Sequence, residues 1–169
     1  MKNIVLIGIM GSGKTTFGKI LSQKTGHEMI DLDDYLVNRF NMSIPDMFQI
    51  SEDYFRNNET ICCQEVSELE GKIISTGGGV IKRPENIGYL KKNGVVFYID
   101  RPIEDIVKDV NQSGRPLLKD GPDKLYALDK ERRDKYMSSC DYHIINDGSL
   151  EKVIDTILDI MKKYDKSPL

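Results

Sequence analysis

The sequence lacks the cysteine pattern of a disulfide-bonded or zinc-binding protein. It contains three cysteines among 169 residues: Cys62 and Cys63 are adjacent, and Cys140 lies far along the chain. Adjacent cysteines rarely bridge each other, and the chain has no C-x-x-C or Cys/His cluster typical of zinc sites. We therefore expect reduced thiols and a cytoplasmic protein, with Cys62 and Cys63 packed in a core.

The chain also lacks an excess of charge and a long hydrophobic run. Its 24 Lys and Arg nearly balance 27 Asp and Glu, so the net charge of −3 gives no reason to expect nucleic acid as the main partner. No stretch reaches the roughly 18 apolar residues of a membrane span. The apolar residues 3–9 pass directly into glycines and Lys14 without a cleavage site, which favours a buried strand over a signal peptide. We expect neither a nucleic-acid nor a membrane partner.

What the sequence does contain is an alternation of strand and helix patterns. Near-continuous aliphatic runs, typical of strands buried on both faces of a parallel sheet, occupy residues 3–9, 72–75 and 95–99, with weaker candidates at 28–30 and 142–145. Helical patterns occupy residues 14–24, 51–69, 103–110, 123–137 and 150–161. The alternation predicts a single α/β domain over residues 1–169.

Residues 8–15 match the phosphate-binding motif G-x-x-x-x-G-K-[ST]. In this motif glycines let backbone N–H groups approach phosphate oxygens, the lysine (Lys14) reaches the β- and γ-phosphates, and the hydroxyl of Thr15 is offered to Mg²⁺. The alternative is a chance match in a glycine-rich turn. The match lies between a predicted strand and a predicted helix, as the motif requires. It predicts a nucleoside triphosphate site and leaves the phosphate acceptor open.

The segment IDLDD, residues 30–34, follows the second predicted strand. Its carboxylates Asp31 and Asp33 suit a divided task, in which one holds a magnesium-bound water and the other accepts a hydroxyl proton. The alternative is a helix N-terminus, where acidic side chains favour the helix dipole.

The segment STGGG, residues 75–79, follows the central predicted strand. Three consecutive glycines cost backbone entropy, which indicates that another group approaches the main chain closely. At the carboxyl end of a strand, the segment should face the same crevice as residues 8–15. The alternative is an ordinary tight turn.

One arginine lies inside the apolar stripe of a predicted helix. Leu125, Leu128 and Tyr136 define that stripe, and Arg132 falls within it. A buried guanidinium needs an anionic partner, which is either a protein carboxylate or a ligand carboxylate. We expect the neighbouring Arg133 to be solvated.

Two other arginines have less distinctive positions. Arg56 and Glu59 are three apart on one predicted helix and could form a surface pair of little value. Arg115 lies in the Gly- and Pro-rich segment 111–122, which is long enough for a lid. There Arg115 would neutralise charge during phosphoryl transfer. The alternative is that Arg115 is a solvated loop residue.

Taken in order, these segments resemble the shikimate kinase family of P-loop kinases with a nucleoside monophosphate kinase-like fold. The resemblance spans residues 3–160 and rests on GIMGSGKTT, IDLDD, SIPDMF, FRNNE, STGGG, GRPLL and RRDKY. It implies a three-layer sandwich whose five-stranded parallel sheet has the order 2-3-1-4-5, with helices on both faces. It also implies substrate-binding helices at about 33–70 and a lid at about 111–122.

The resemblance further implies ATP-dependent phosphorylation of the 3-hydroxyl of shikimate, in chorismate and aromatic amino-acid biosynthesis, by a monomer. ATP would contact Gly11, Ser12, Gly13, Lys14, Thr15, Thr16 and Arg115. Shikimate would contact Asp33, Arg56, Glu59, Gly77, Gly78, Gly79 and Arg132. The catalytic residues would be Asp33 as the base, Lys14 and Arg115. Mg²⁺ would be held by Thr15 and, through water, by Asp31.

The sequence departs from the family pattern at two places. ISEDYFR stands where the family has Gly-Glu before Phe-Arg, and Lys108 is nearest to the position of an adenine-stacking arginine. The segment 146–148 is a candidate adenine loop. Gluconate and adenylate kinases are the rival enzymes, although an adenylate kinase needs more arginines. A regulatory nucleotide-binding module is the rival of another class, and it should lack Asp33 or Arg115.

Overall fold

The structure, a computed structural model, describes residues 1–112 and 121–165. Its sheet confirms the predicted topology, with five parallel strands in the order β2-β3-β1-β4-β5. The strands are β1 (Asn3–Ile7), β2 (Met29–Asp31), β3 (Ile73–Ser75), β4 (Gly94–Asp100) and β5 (Tyr142–Ile145). Each predicted strand is present within about two residues of its expected ends.

The helices include several that periodicity alone did not predict. Those of the described chain are α1 (Lys14–Thr25), α2 (Leu32–Phe40), α3 (Ile44–Ile50), α4 (Glu52–Ser67), α5 (Pro84–Lys92), α6 (Ile103–Gln112), α7 (Pro122–Ser139) and α8 (Leu150–Asp165), and a 3₁₀ turn spans Val80–Lys82. The side chains of Asp31, Ser43 and Ser51 each accept a backbone N–H at the starts of α2, α3 and α4. These caps divide residues 32–67 into three helices that pack beside the sheet.

Two hydrophobic layers cover the sheet, and β1 contributes alternately to both. Ile4 and Leu6 pack with α1 and α8, whereas Val5 and Ile7 pack with α2 to α7. In the second layer Cys62 and Cys63 are buried free thiols, and burial raises the pKa of Cys62 to about 12. The predicted role of these cysteines in packing is confirmed.

The carboxyl edge of the sheet carries the segments that the sequence singled out. Residues 8–13 follow β1, the acidic segment follows β2, and the three glycines follow β3. Parallel strands present their carboxyl ends at one edge, where α/β proteins bind ligands. Within residues 1–112 and 121–165, no helix is both long and apolar enough to cross a bilayer.

Candidate active site

The loop between β1 and α1 encloses the ammonium group of Lys14. Its Nζ donates hydrogen bonds to the backbone oxygens of Gly8 and Ile9, at 2.5 and 3.0 Å, and the side chain is buried. Burial lowers the pKa of Lys14 to about 8, while Asp33 and Asp31 act in the opposite direction. This cation lies at the N-terminus of α1, where free N–H groups also favour an anion. The loop therefore has the charge and the geometry of a phosphate site.

A cavity of about 550 Å³ opens beside this loop. It is lined by Met10, Gly11, Gly13, Lys14, Thr15, Thr16, Asp31, Asp33, Ser75, Thr76, Gly77, Gly78 and Arg101. Ser12 is buried beneath it: its N–H donates to Ile9 at 3.1 Å, and its carbonyl accepts from Asn146 Nδ2 at 3.0 Å. Segments distant in sequence thus meet at one concave site.

Of the two predicted aspartates, Asp31 immediately precedes α2 and Asp33 lies in its first turn. Asp31 caps the helix, with Oδ1 accepting the N–H of Asp34 at 3.1 Å, so the helix N-terminus expected as the alternative is present. Both aspartates also line the cavity. Burial, followed by the Asp31 carboxylate, raises the pKa of Asp33, while Lys14 opposes the rise. A carboxylate with a raised pKa facing a cation is suited to accepting a proton.

The three glycines of STGGG each leave room for a different charged side chain. A Cβ on Gly77 would lie 2.9 Å from Asp33 Oδ1. On Gly78 it would lie 3.2 Å from an Nη of Arg132, and on Gly79 it would lie 2.5 Å from an Nη of Arg56. The segment does turn, since the N–H of Val80 bonds to the carbonyl of Gly77 at 3.2 Å. Space for the three charged groups nevertheless explains why all three residues are glycine.

Arg56 and Glu59 form a buried ion pair instead of the surface pair considered above. Arg56 Nη1 donates to Glu59 Oε1 at 2.9 Å, and the two side chains are 10% and 1% exposed. Burial raises the pKa of Glu59, against the opposing effect of Arg56. The guanidinium lies 4.9 Å from the ring centroid of Phe55. Its Nε has no hydrogen-bond partner among the described residues, although the exposed Glu52 carboxylate lies 3.6 Å from it. The guanidinium has capacity for a further anion.

Arg132 lies on the inner side of α7, as its position in the apolar stripe predicted. Its Nε is buried without a hydrogen-bond partner, and among the described residues no carboxylate pairs with it within 4.0 Å. Its neighbour Tyr136 is buried and donates a hydrogen bond to the carbonyl of Gly78 at 2.7 Å. The described residues therefore supply no protein carboxylate for Arg132.

Arg133 is exposed to solvent, as expected, with 46% of its side chain accessible, but it also forms an ion pair that the sequence did not predict. Its two terminal nitrogens donate to the two oxygens of Asp100 at 3.0 and 2.6 Å, and His143 Nε2 lies 2.7 Å from Asp100 Oδ2. Burial alone would raise the pKa of Asp100, but hydrogen bonds from Arg133 and His143 outweigh it and lower the pKa. The partner of Arg133 comes from the end of β4, which helical periodicity cannot reveal.

Sequence reasoning also missed Arg101, which lines the cavity. Its Nη1 donates to the carbonyl of Gly11 at 3.1 Å, and its Nη2 donates to Asp109 at 2.5 Å. The available signal was its place directly after a predicted strand, at the edge that carries the phosphate loop. Arg115, the predicted lid arginine, lies outside the described residues.

Magnesium would have only a few protein ligands in this site. Among residues 1–112 and 121–165, no cluster of three or more His, Cys, Asp or Glu could hold a metal ion. Thr15, Asp31 and Asp33 nevertheless present oxygen atoms to the cavity. This sparse oxygen donor set fits Mg²⁺, which takes one or two protein ligands together with phosphates and water.

Comparison with protein families and solved structures places this geometry among known proteins. Residues 10–162 match the family described as shikimate kinase. A shikimate kinase of Clostridium botulinum is 41% identical over 162 residues, which cover 95% of this chain and 98% of that protein. A shikimate kinase of Caldicellulosiruptor bescii is 44% identical over 151 residues, which cover 87% of each.

Solved structures agree with the sequence matches. The shikimate kinase of Acinetobacter baumannii in complex with shikimate has a TM-score of 0.85 at 30% identity, over 99% of this chain and 96% of that one. The shikimate kinase of Aquifex aeolicus has a TM-score of 0.81 at 35% identity, over 97% and 98% of the two chains. The similarity therefore extends over the whole domain.

Proposed function

The chain belongs to the shikimate kinase family, and we propose that it transfers the γ-phosphoryl group of ATP to the 3-hydroxyl of shikimate. The products are ADP and shikimate 3-phosphate, within chorismate and aromatic amino-acid biosynthesis. The observation that carries the proposal is the glycine segment 77–79, whose three residues lie against Asp33, Arg132 and Arg56 in turn, and whose Gly77 and Gly78 line the cavity beside the phosphate loop together with Asp33.

The phosphate end of the site stabilises the charge that moves during transfer. Lys14 leaves its bonds with Gly8 and Ile9 to contact the β- and γ-phosphates, because these oxygens carry more negative charge than a backbone carbonyl. The backbone of residues 11–16 and the N-terminus of α1 supply further N–H donors. Phosphate binding also stabilises the charged form of Lys14, which burial disfavours in the free protein.

Asp33 acts as the general base toward the acceptor hydroxyl. It lines the cavity close to Lys14, and burial holds its pKa above the ordinary range of an aspartate. A carboxylate of raised pKa is the stronger base and accepts a proton more readily. The proton of the 3-hydroxyl passes to Asp33 as the hydroxyl oxygen bonds to phosphorus.

The carboxylate of shikimate is held by Arg132 and Arg56 at the other end of the site. Both have a buried Nε without a hydrogen-bond partner in the described chain, although Glu52 Oε1 lies 3.6 Å from the Nε of Arg56. An incoming carboxylate would therefore satisfy chiefly the Nε of Arg132, which is otherwise costly to bury. Glu59 fixes the orientation of Arg56. The glycines at 77–79 leave the room that Asp33, Arg132 and Arg56 need to face the acceptor.

Thr15 would hold Mg²⁺ through its hydroxyl, and Asp31 would do so through a water. When bound, the ion neutralises phosphate charge and aligns the γ-phosphoryl group. Arg115 would add a cation over the phosphates from the segment 111–122. We also propose that the enzyme acts as a monomer in the cytoplasm.

The decisive experiment is ADP release measured with and without shikimate, in the presence of Mg²⁺. We expect strong stimulation by shikimate, and little or none by gluconate or AMP at the same concentration. Mass spectrometry of the product should show one added phosphoryl group on shikimate. A folded, ATP-binding protein that releases ADP equally with all three acceptors would overturn the proposal.

A further inference from the structure

Two neighbouring residues at the end of β4, Asp100 and Arg101, form hydrogen bonds with different parts of the site. Asp100 accepts two hydrogen bonds from Arg133 on α7, the helix that carries the carboxylate-binding arginine. Arg101 donates to the carbonyl of Gly11 in the phosphate loop at 3.1 Å and to Asp109 on α6. Neighbouring side chains on one strand end thus contact different ligand-binding elements.

The Asp100–Arg133 pair constrains the rotation of α7. Successive residues of a helix are about 100° apart around its axis, so holding Arg133 fixes the direction in which Arg132 projects. The pair is bidentate, which gives it a defined geometry, and Asp100 is 7% exposed while Arg133 is 46% exposed. His143 holds the same carboxylate from β5 at 2.7 Å.

A second anchor lies one turn further along α7. Tyr136 donates to the carbonyl of Gly78 at 2.7 Å, and its ring stacks on Tyr98 of β4 with centroids 5.1 Å apart. This anchor fixes the distance between α7 and the glycine segment. It lies on the same side of the helix as Arg132, and the Asp100–Arg133 pair adds a second constraint on rotation about 100° away around the axis.

We propose that Asp100 and Arg101 are positioning residues for two separate ligands, Asp100 for the acceptor carboxylate through Arg133 and α7, and Arg101 for the nucleotide phosphates through Gly11. The first half rests on the proposed function, because it requires Arg132 to bind the acceptor carboxylate. The second half requires only that the loop binds phosphates.

The two halves predict a rise in different Michaelis constants of the full-length enzyme. Asp100→Asn should raise the KM for shikimate about tenfold, because a misplaced binding group loses much of its contribution, and the KM for ATP should stay within about twofold. Arg133→Lys, which keeps the charge and loses the bidentate geometry, should behave in the same way. Arg101→Gln should raise the KM for ATP about fivefold and change the KM for shikimate little.

A substrate without the carboxylate separates positioning from general damage. Shikimate methyl ester lacks the anion that Arg132 binds, so the wild-type enzyme should already show a raised KM for it. Asp100→Asn and Arg133→Lys should then add less than about twofold, because the contact that they weaken is absent. A structural defect would raise the KM for the ester as much as that for shikimate.

Two further variants make the outcome interpretable. Arg132→Lys tests the direct contact, and Lys92→Gln, which breaks an exposed ion pair with Glu68, is the control for the loss of a surface charge. If Arg132→Lys raises the KM for shikimate while Asp100→Asn and Arg133→Lys do not, the positioning role is overturned and the proposed function stands. If Arg132→Lys also leaves it unchanged, the carboxylate site itself is wrong. If Asp100→Asn raises the KM for the methyl ester as much as the KM for shikimate, the inference is overturned. If Asp100→Asn does not fold, the same comparison made with Arg133→Lys decides.

Discussion

The proposed nucleotide end and the proposed acceptor end of the site are built in different ways. The nucleotide end comes largely from one continuous segment, residues 8–16, and Lys14 is bonded to the backbone of the same loop. The acceptor end brings together Asp33 of α2, Arg56 of α4, Arg132 of α7 and the glycines after β3. A local motif can be identified without a fold, whereas the acceptor end exists only after folding.

The largest effect that can test this difference is the loss of Lys14. Lys14→Met should lower kcat/KM by about a thousandfold, because removing one preorganised donor that faces transition-state charge costs about 10²–10³. The fold should be retained, since methionine fills the same buried space. Coupled ADP release, with circular dichroism as the folding control, measures both. Turnover near the wild-type value would contradict the phosphate-site assignment.

The next largest effect is expected for Asp33→Asn, which changes the residue that lies between the phosphate loop and the acceptor. We expect kcat to fall about a hundredfold or more, because the amide keeps the shape but cannot accept the proton. ATP binding, measured by calorimetry, should change far less. A variant that keeps kcat within about threefold would show that Asp33 is not the base.

Substitution of a glycine should affect the acceptor end alone. The added Cβ of Gly79→Ala would lie against the Arg56 guanidinium, so we expect the shikimate KM to rise about fivefold and the ATP KM to remain near its wild-type value. Gly88→Ala is the matched control, since nothing lies within 4 Å of that Cβ. Equal behaviour of the two variants would argue against the proposed packing of the glycine segment.

The smallest effect concerns stability and pH at the nucleotide end. Because burial lowers the pKa of Lys14 from 10.5 to about 8, keeping it protonated in the folded state costs stability below pH 8. That cost disappears as pH rises from about 8 toward 10.5. Without ligands, Lys14→Met should therefore melt a few degrees above the wild type at pH 7, and the gap should shrink toward pH 10. A gap that is constant or grows with pH would contradict the lowered pKa.

The sequence predicted most of the fold because aliphatic runs and helical stripes mark elements buried on known faces. It did not predict α5 (Pro84–Lys92), which buries only two apolar side chains, Ile87 and Leu90. It also did not resolve α2 and α3, whose starts are set by single caps. At the site, Arg132 was identifiable because a charge within an apolar stripe is conspicuous. The partners of Arg133 and Arg101 were not, because both pairings depend on where β4 ends in space.

Both Michaelis constants of Arg132→Lys, measured in one preparation, test the separation of the two ends most directly. Lysine keeps the charge but loses the fork that binds a carboxylate through two hydrogen bonds. A charged hydrogen bond is worth roughly 1.5–3 kcal/mol, so we predict that the KM for shikimate rises about tenfold or more while the KM for ATP barely changes. An ATP constant that rises as much as the shikimate constant would contradict the account, because Arg132 would then belong to the nucleotide end.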